Sequence, residues 1–283
     1  MLKKRIITAL WFVPLLVIVV WFGGEPGFTA LMVIFGVLAA LEFYRMVAIP
    51  KAPPLTYFGL IWTAFFILSR NSELLALFET RFGSGLLMPL LLTSAVVLSL
   101  IGLLSRRQKE GAFTTWAWTI AGILYIGWLL SYLVALRGLD GGRNWIFFAL
   151  FTTWASDTAA FVIGRKLGGH KLAPNISPGK TWEGTMGGIL GAIIMSILFF
   201  TPTPFRLPLV YWQAIGLSVL VSIFGQVGDL VESLLKRNMG VKDSGTLLPG
   251  HGGILDRMDS IIFAGIVVYY YVISLQALGW IAT

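Results

Sequence analysis

Residues 242–259 read KDSGTLLPGHGGILDRMD and lie between two long apolar runs. Four glycines, three aspartates, a histidine and two cations precede the last hydrophobic segment. A simple connecting loop needs solubility and a turn; this stretch carries much more chemistry than that. Asp256 and Asp259 are three apart at the start of the following apolar run, so one helical turn sets them on the same side. Before them, glycines leave backbone amides open to close approach, and glycine-rich backbone running into a helix N-terminus suits phosphate. Carboxylates beside a phosphate cradle suit Mg²⁺, which takes one or two carboxylates and completes its shell with substrate phosphates. Helix N-terminal dipole preference would explain one of the aspartates but not the whole hairpin.

The surrounding chain is built for a membrane. Of 283 residues, 57% are hydrophobic and 12% charged, and the mean hydropathy is +0.84. Soluble domains carry about 25% charged residues. The absence of cysteine excludes disulfides, thiol nucleophiles and Cys-ligated zinc. The net charge of +8 is read as loop charge that sets orientation, not as a nucleic-acid footprint. A crossing helix needs about 20 mainly apolar residues. The expectation is an all-α, polytopic helical bundle with nine spans: 6–22, 28–44, 55–69, 86–104, 114–136, 145–164, 185–201, 209–228 and 258–281. The first is expected to be an uncleaved span, since no small-residue cleavage site follows it. With a cytoplasmic N-terminus, sixteen of the 21 Lys and Arg fall on the inner side, as the positive-inside rule requires. Residues 1–144 read as an N-terminal transmembrane region of five spans. Residues 145–283 read as a catalytic region with cytoplasmic loops 165–184 and 229–257.

Three further elements join the quoted stretch. In GDLVESLLKR, residues 228–237, the positions Asp229, Glu232, Ser233, Lys236 and Arg237 fall on one helical face, with Leu230, Val231, Leu234 and Leu235 opposite. An amphipathic helix end explains this piece as well as a carboxylate site does. Asp157 lies roughly 10 Å inside the sixth span at the standard helical rise, a costly depth that calls for a partner or a polar cavity. The loop GRKLGGHKLAPNISPGKTWEG, residues 164–184, offers Ser177, Lys180 and Thr181 to an oxyanion. Its PGKT resembles a Walker A tail, but Pro174 stands where that pattern needs glycine. His251, between two glycines, suits phosphate contact better than zinc, because no second His or Cys lies at ligand spacing.

Together these residues are similar to the phosphatidate cytidylyltransferase family, also called CDP-diacylglycerol synthases. The family's diagnostic run corresponds to residues 233–259, with Ser233, Lys236, Arg237, Lys242, Asp243, His251, Gly252, Gly253, Asp256, Arg257 and Asp259 all in place. The resemblance is strong in the C-terminal half and only generic over the first five spans. It implies a homodimeric enzyme of the bacterial inner membrane, its site facing the cytoplasm. That enzyme would make CDP-diacylglycerol and pyrophosphate from CTP and phosphatidic acid with Mg²⁺; a second, monovalent cation is left open, and no nucleic acid is expected. On this reading Asp229 and Asp256 are the main metal ligands, supported by Glu232, Asp243 and Asp259. Lys236, Arg237, Lys242 and Arg257 would hold triphosphate, Gly252 and Gly253 would present amides, and Ser177, Lys180, Thr181, His251 and Asp157 would complete the substrate site. A CTP-dependent lipid kinase and a transporter using Asp157 are the competing readings.

Overall fold

The computed structural model describes residues 13–48, 52–106, 109–247 and 252–281. The chain forms two compact units. One takes the residues up to Gly138 together with Asp243–Asp256; the other takes Leu139–Lys242 and the residues from Arg257 onward. The segment Asp243–Asp256, which carries much of the quoted stretch, therefore packs with the N-terminal helices.

The first unit holds helices α1 (Val13–Phe22), α2 (Gly24–Val47), α3 (Thr56–Leu68), α4 (Ser72–Phe82) and α5 (Leu87–Leu104). It continues with α6 (Ala112–Gly122), a π-helical turn (Ile123–Trp128) and α7 (Leu129–Gly138), which run on as one long helix. Its core is built on α2, where Phe28, Met32, Phe35, Ala39 and Phe43 are buried. The Tyr44 hydroxyl donates to the Thr119 carbonyl at 2.8 Å. Its ring reaches there because Gly59 and Gly122 leave room; a Cβ at either would collide with it.

The second unit holds α8 (Gly142–Leu167), strands β1 (Lys171–Ala173) and β2 (Ser177–Thr181), α9 (Trp182–Phe200), α10 (Tyr211–Asn238) and most of α11 (Leu255–Ala277). Helix α9 meets α8 along Gly184, Gly187, Gly188 and Gly191. A Cβ at Gly191 would sit 2.5 Å from that of Ala159, and one at Gly187 2.5 Å from Ile163 Cδ1. Small residues spaced three and four apart let membrane helices approach closely where apolar burial supplies no drive. A hydrogen bond of 2.8 Å between the Ser156 and Ser222 hydroxyls joins α8 to α10, and Gln226 Nε2 donates to Ser222 Oγ at 3.2 Å.

Helices stand in all nine expected places, although the expected first span before Val13 lies outside the described residues. Among the described residues seven helices are long and apolar enough to cross a membrane, or eight if α3 and α4 count as one broken span. The third segment departs from expectation most clearly. Helix α3 has 13 residues, about 20 Å at the helical rise, which is shorter than the hydrocarbon core. The chain then turns by 92° into α4. Asn71 makes that corner, its Oδ1 accepting from the Leu74 amide at 3.2 Å as the N-cap of α4. The loop 165–184 is also more ordered than an open basic loop. It forms an antiparallel hairpin, with Lys171 opposite Thr181 and Ala173 opposite Ser177, a small exception to the all-helical chain. Pro174 and Asn175, common turn residues, sit between the strands.

The glycine seam gives the first prediction. Gly191→Leu should lower the thermal midpoint of the purified protein in detergent, because over-packing a tight contact typically costs about 1–3 kcal/mol. Gly27→Ala, with nothing within 4 Å of an added Cβ, should leave that midpoint in place.

Candidate active site

The second unit gathers four acids and three cations from four elements. Helix α10 supplies Asp229, Glu232 and Lys236, α8 supplies Asp157, α11 supplies Arg257 and Asp259, and Lys180 comes from β2. Lys180 Nζ lies 2.9 Å from Asp229 Oδ2 and donates to the Gln226 carbonyl at 3.0 Å. Lys236 Nζ lies 2.9 Å from Glu232 Oε2, one turn back on the same helix. Asp157 interacts with Asp229, Lys180 and Arg257, and Asp259 with Asp229, Glu232 and Asp157. Like charges this close repel unless cations or hydrogen-bond donors offset them, and Lys180, Lys236 and Arg257 supply the offset.

The polar face of α10 was legible as a face, but its direction was not. Glu232 is fully buried and Lys236 nearly so, whereas Val231 and Leu234 are exposed. A soluble amphipathic helix turns the other way. In a membrane the apolar face meets lipid tails, and the charged face turns inward to find partners.

Several expected residues have structural partners. The Thr181 hydroxyl accepts from the Gly184 amide at 3.1 Å as the N-cap of α9. Ser177 is half-buried in β2. Arg237 Nε donates to the Ile176 carbonyl at 3.3 Å and its NH1 to Val241 O at 3.4 Å, tying the hairpin to the end of α10. The Ser233 hydroxyl donates to Asp229 Oδ1 at 3.2 Å. Lys242 is exposed. His251 lies outside the described residues.

In the first unit, Asp256 Oδ2 accepts from the Gly253 amide at 2.7 Å and from the Ser244 amide and hydroxyl at 3.0 Å each. Gly252 has φ +84°, and a Cβ there would stand 2.5 Å from Asp256 Oδ2. Glycine is required at that position both by the backbone and by the carboxylate. Asp243 is exposed beside Gly252. The Gly253 amide, expected to face a ligand, thus points at the protein's own carboxylate. Glu42, on α2, enters the same segment: it accepts from the amides of Ile254 and Leu255 and from the Ser244 hydroxyl. The sequence reading passed over it, although an acid inside an apolar span is itself a signal.

The donor set suits a hard divalent cation. Carboxylate oxygens predominate, and Asp229 is more than one-third exposed. Among the described residues no three His, Cys, Asp or Glu side chains form a ready metal cage.

An integral membrane helical bundle with a charged, oxygen-rich cluster carried by α8, β2, α10 and α11 is the class these observations define. Residues 3–275 match the profile of the cytidylyltransferase family. A phosphatidate cytidylyltransferase of Bacillus subtilis is 36% identical over 272 residues, covering 95% of this chain and 97% of that protein. One from Brucella suis is 35% identical over 275 residues, covering 95% and 93%. One from Staphylococcus saprophyticus is 43% identical over 156 residues, 55% of this chain and 58% of its own. The chain belongs to the cytidylyltransferase family.

The cap at Thr181 carries a prediction of its own. Thr181→Ala should destabilise the protein by about 1 kcal/mol, the usual value of an N-cap, while Thr181→Ser should not. Thermal unfolding of the two purified variants checks this.

Proposed function

We propose that this chain is a phosphatidate cytidylyltransferase, joining CTP and phosphatidic acid into CDP-diacylglycerol with release of pyrophosphate. Full-length similarity to proteins of that name supports the reading. So does the gathering of Lys180, Asp157, Asp229, Asp259 and Arg257 in one unit, the observation that carries it. We place the protein in the bacterial inner membrane with this cluster on the cytoplasmic side, where CTP is made, and as a homodimer by resemblance to its family.

In the proposed reaction a phosphate oxygen of phosphatidate attacks the α-phosphorus of CTP, and the bond to the β-phosphate oxygen breaks. The attacking oxygen is already anionic near neutral pH, so no protein nucleophile or general base is required. Positioning and charge neutralisation supply the catalysis. Mg²⁺, when bound, would neutralise phosphate charge and align the attacking and leaving oxygens. Asp229 would hold that ion, with Asp259 and Glu232 in support; Asp256 and Asp243 are assigned to the metal by resemblance to the family alone. Lys180, fixed between Asp229 and the Gln226 carbonyl, and Arg257 are placed to receive phosphate oxygens. A groove of about 600 Å³ is lined by Phe151, Trp154, Thr158, Val162, Ile163 and Met195. It runs along α8 and α9, almost wholly apolar, and suits an acyl chain of the lipid.

CTP labelled at the α or the γ phosphate separates this reaction from lipid phosphorylation. The expected result, in detergent micelles without any ion gradient, is lipid labelled from the α position only. Lipid labelled only from the γ position would assign a kinase instead. Asp256→Asn should abolish turnover while the protein stays folded in the membrane, as thin-layer assay and size-exclusion chromatography would report; near-normal turnover would count against the metal role.

A further inference from the structure

An acid on a membrane-spanning helix is costly unless donors meet it. Glu42 lies on α2, five residues before the helix ends at Val47, and is 3% exposed. Its donors come from more than 200 residues downstream. The Ile254 amide donates to Oε1 at 3.1 Å, and the Leu255 amide to Oε2 at 3.0 Å. The Ser244 hydroxyl reaches Oε2 at 3.2 Å. Leu255 opens α11 and Ile254 immediately precedes it, where the first amides have no carbonyl of their own helix to pair with and where the helix dipole favours an anion. Glu42 therefore does for α11 what an N-cap side chain does, but from another helix.

The glycines of this segment fit the same contact. A Cβ at Gly245 would stand 2.5 Å from Glu42 Oε1, and one at Gly253 would overlap both Glu42 Oε2 and Ser244 Oγ. The Ser244 hydroxyl then links Glu42 to Asp256, whose Oδ2 it meets at 3.0 Å. Asp256 is thus oriented by a loop that Glu42 holds. We propose that Glu42 is a positioning residue of the transferase: it clamps Ser244, Ile254 and Leu255 and through Ser244 and Gly253 sets the carboxylate of Asp256. This rests on the cytidylyltransferase reading above. Glutamine cannot replace it, because its amide offers one acceptor oxygen and turns an NH₂ toward N–H donors.

The test uses the purified full-length protein in detergent micelles with CTP and phosphatidic acid. Glu42→Gln should lower kcat by about tenfold or more while KM for CTP moves by less than about threefold, the pattern of a group that matters in the transition state. Glu42→Asp, which keeps the charge, should retain clearly more kcat than Glu42→Gln. A second readout needs no turnover. The chain contains no cysteine, so Ile254→Cys, at a position 4% exposed, reports opening of the clamp by its rate of maleimide labelling. That rate should rise several-fold when Glu42→Gln is added. Should Glu42→Gln fail to fold, Gly245→Ala probes the same contact from the other side, because the atoms nearest a Cβ there all belong to Glu42. Gly245→Ala should be impaired, and Glu42→Asp in the same chain should restore part of its activity by withdrawing the carboxylate from the new methyl.

A wild-type protein that forms no CDP-lipid would overturn the enzyme reading and leave the labelling arm to judge the clamp. An active wild type beside a Glu42→Gln variant with unchanged kcat, or with a change in KM alone, would overturn the positioning role. Unchanged labelling, or no restoration in the double variant, would overturn the clamp itself.

Discussion

A carboxylate set among apolar helices must find donors or a cation, and that requirement organises both units of this protein. Lipid tails are as apolar as leucine, so burying leucine gains little over leaving it outward. Exposed apolar side chains are accordingly abundant on α5, α9 and α10. Polar groups carry the specificity of packing instead. Glu42 and Asp256 take two amides each and share the Ser244 hydroxyl, Glu232 takes a lysine, and Asp229 a lysine and a serine. Each partner comes from a defined element, so satisfying the charges also fixes where the elements lie within each unit.

The proposed chemistry uses the same arrangement. A nucleotidyl transfer with an anionic attacking group asks the protein to hold charges still more than to move protons. Lys180 is held by the Asp229 carboxylate and the Gln226 carbonyl, and Gln226 in turn donates to Ser222. The chain from Lys180 to the buried helix seam is therefore short. Glycine serves two purposes along it. At Gly187 and Gly191 it brings helices together, and at Gly245 and Gly253 it admits a carboxylate.

What the sequence made legible follows the range of each interaction. Apolar runs of membrane length located the helices, because length and hydropathy are local properties. The i, i+3, i+4 spacing placed Asp229, Glu232 and Lys236 on one face, and the structure puts Lys180, Asp157 and Asp259 near it. The corner at Asn71 and the hairpin around Pro174 had local signals, a capping residue and a turn pair. Thr181 had one too, as a hydroxyl just before an apolar helix. Glu42 had none of this kind. Its partners lie more than 200 positions away, and such pairing leaves no periodic trace; only the oddity of an acid in an apolar run pointed to it. The direction of the α10 face was hidden for another reason: the pattern of an amphipathic helix is the same whether its polar side meets water or a protein interior.

The central claim is that Asp229 and its neighbours receive the nucleotide together with a divalent ion. Equilibrium binding of radiolabelled CTP to the purified protein in micelles, with Mg²⁺ or with EDTA, tests it most directly when wild type and Asp229→Asn are compared. The account predicts tight binding only by wild type with Mg²⁺, and much weaker binding in the other three conditions. Equal binding in all four would contradict it.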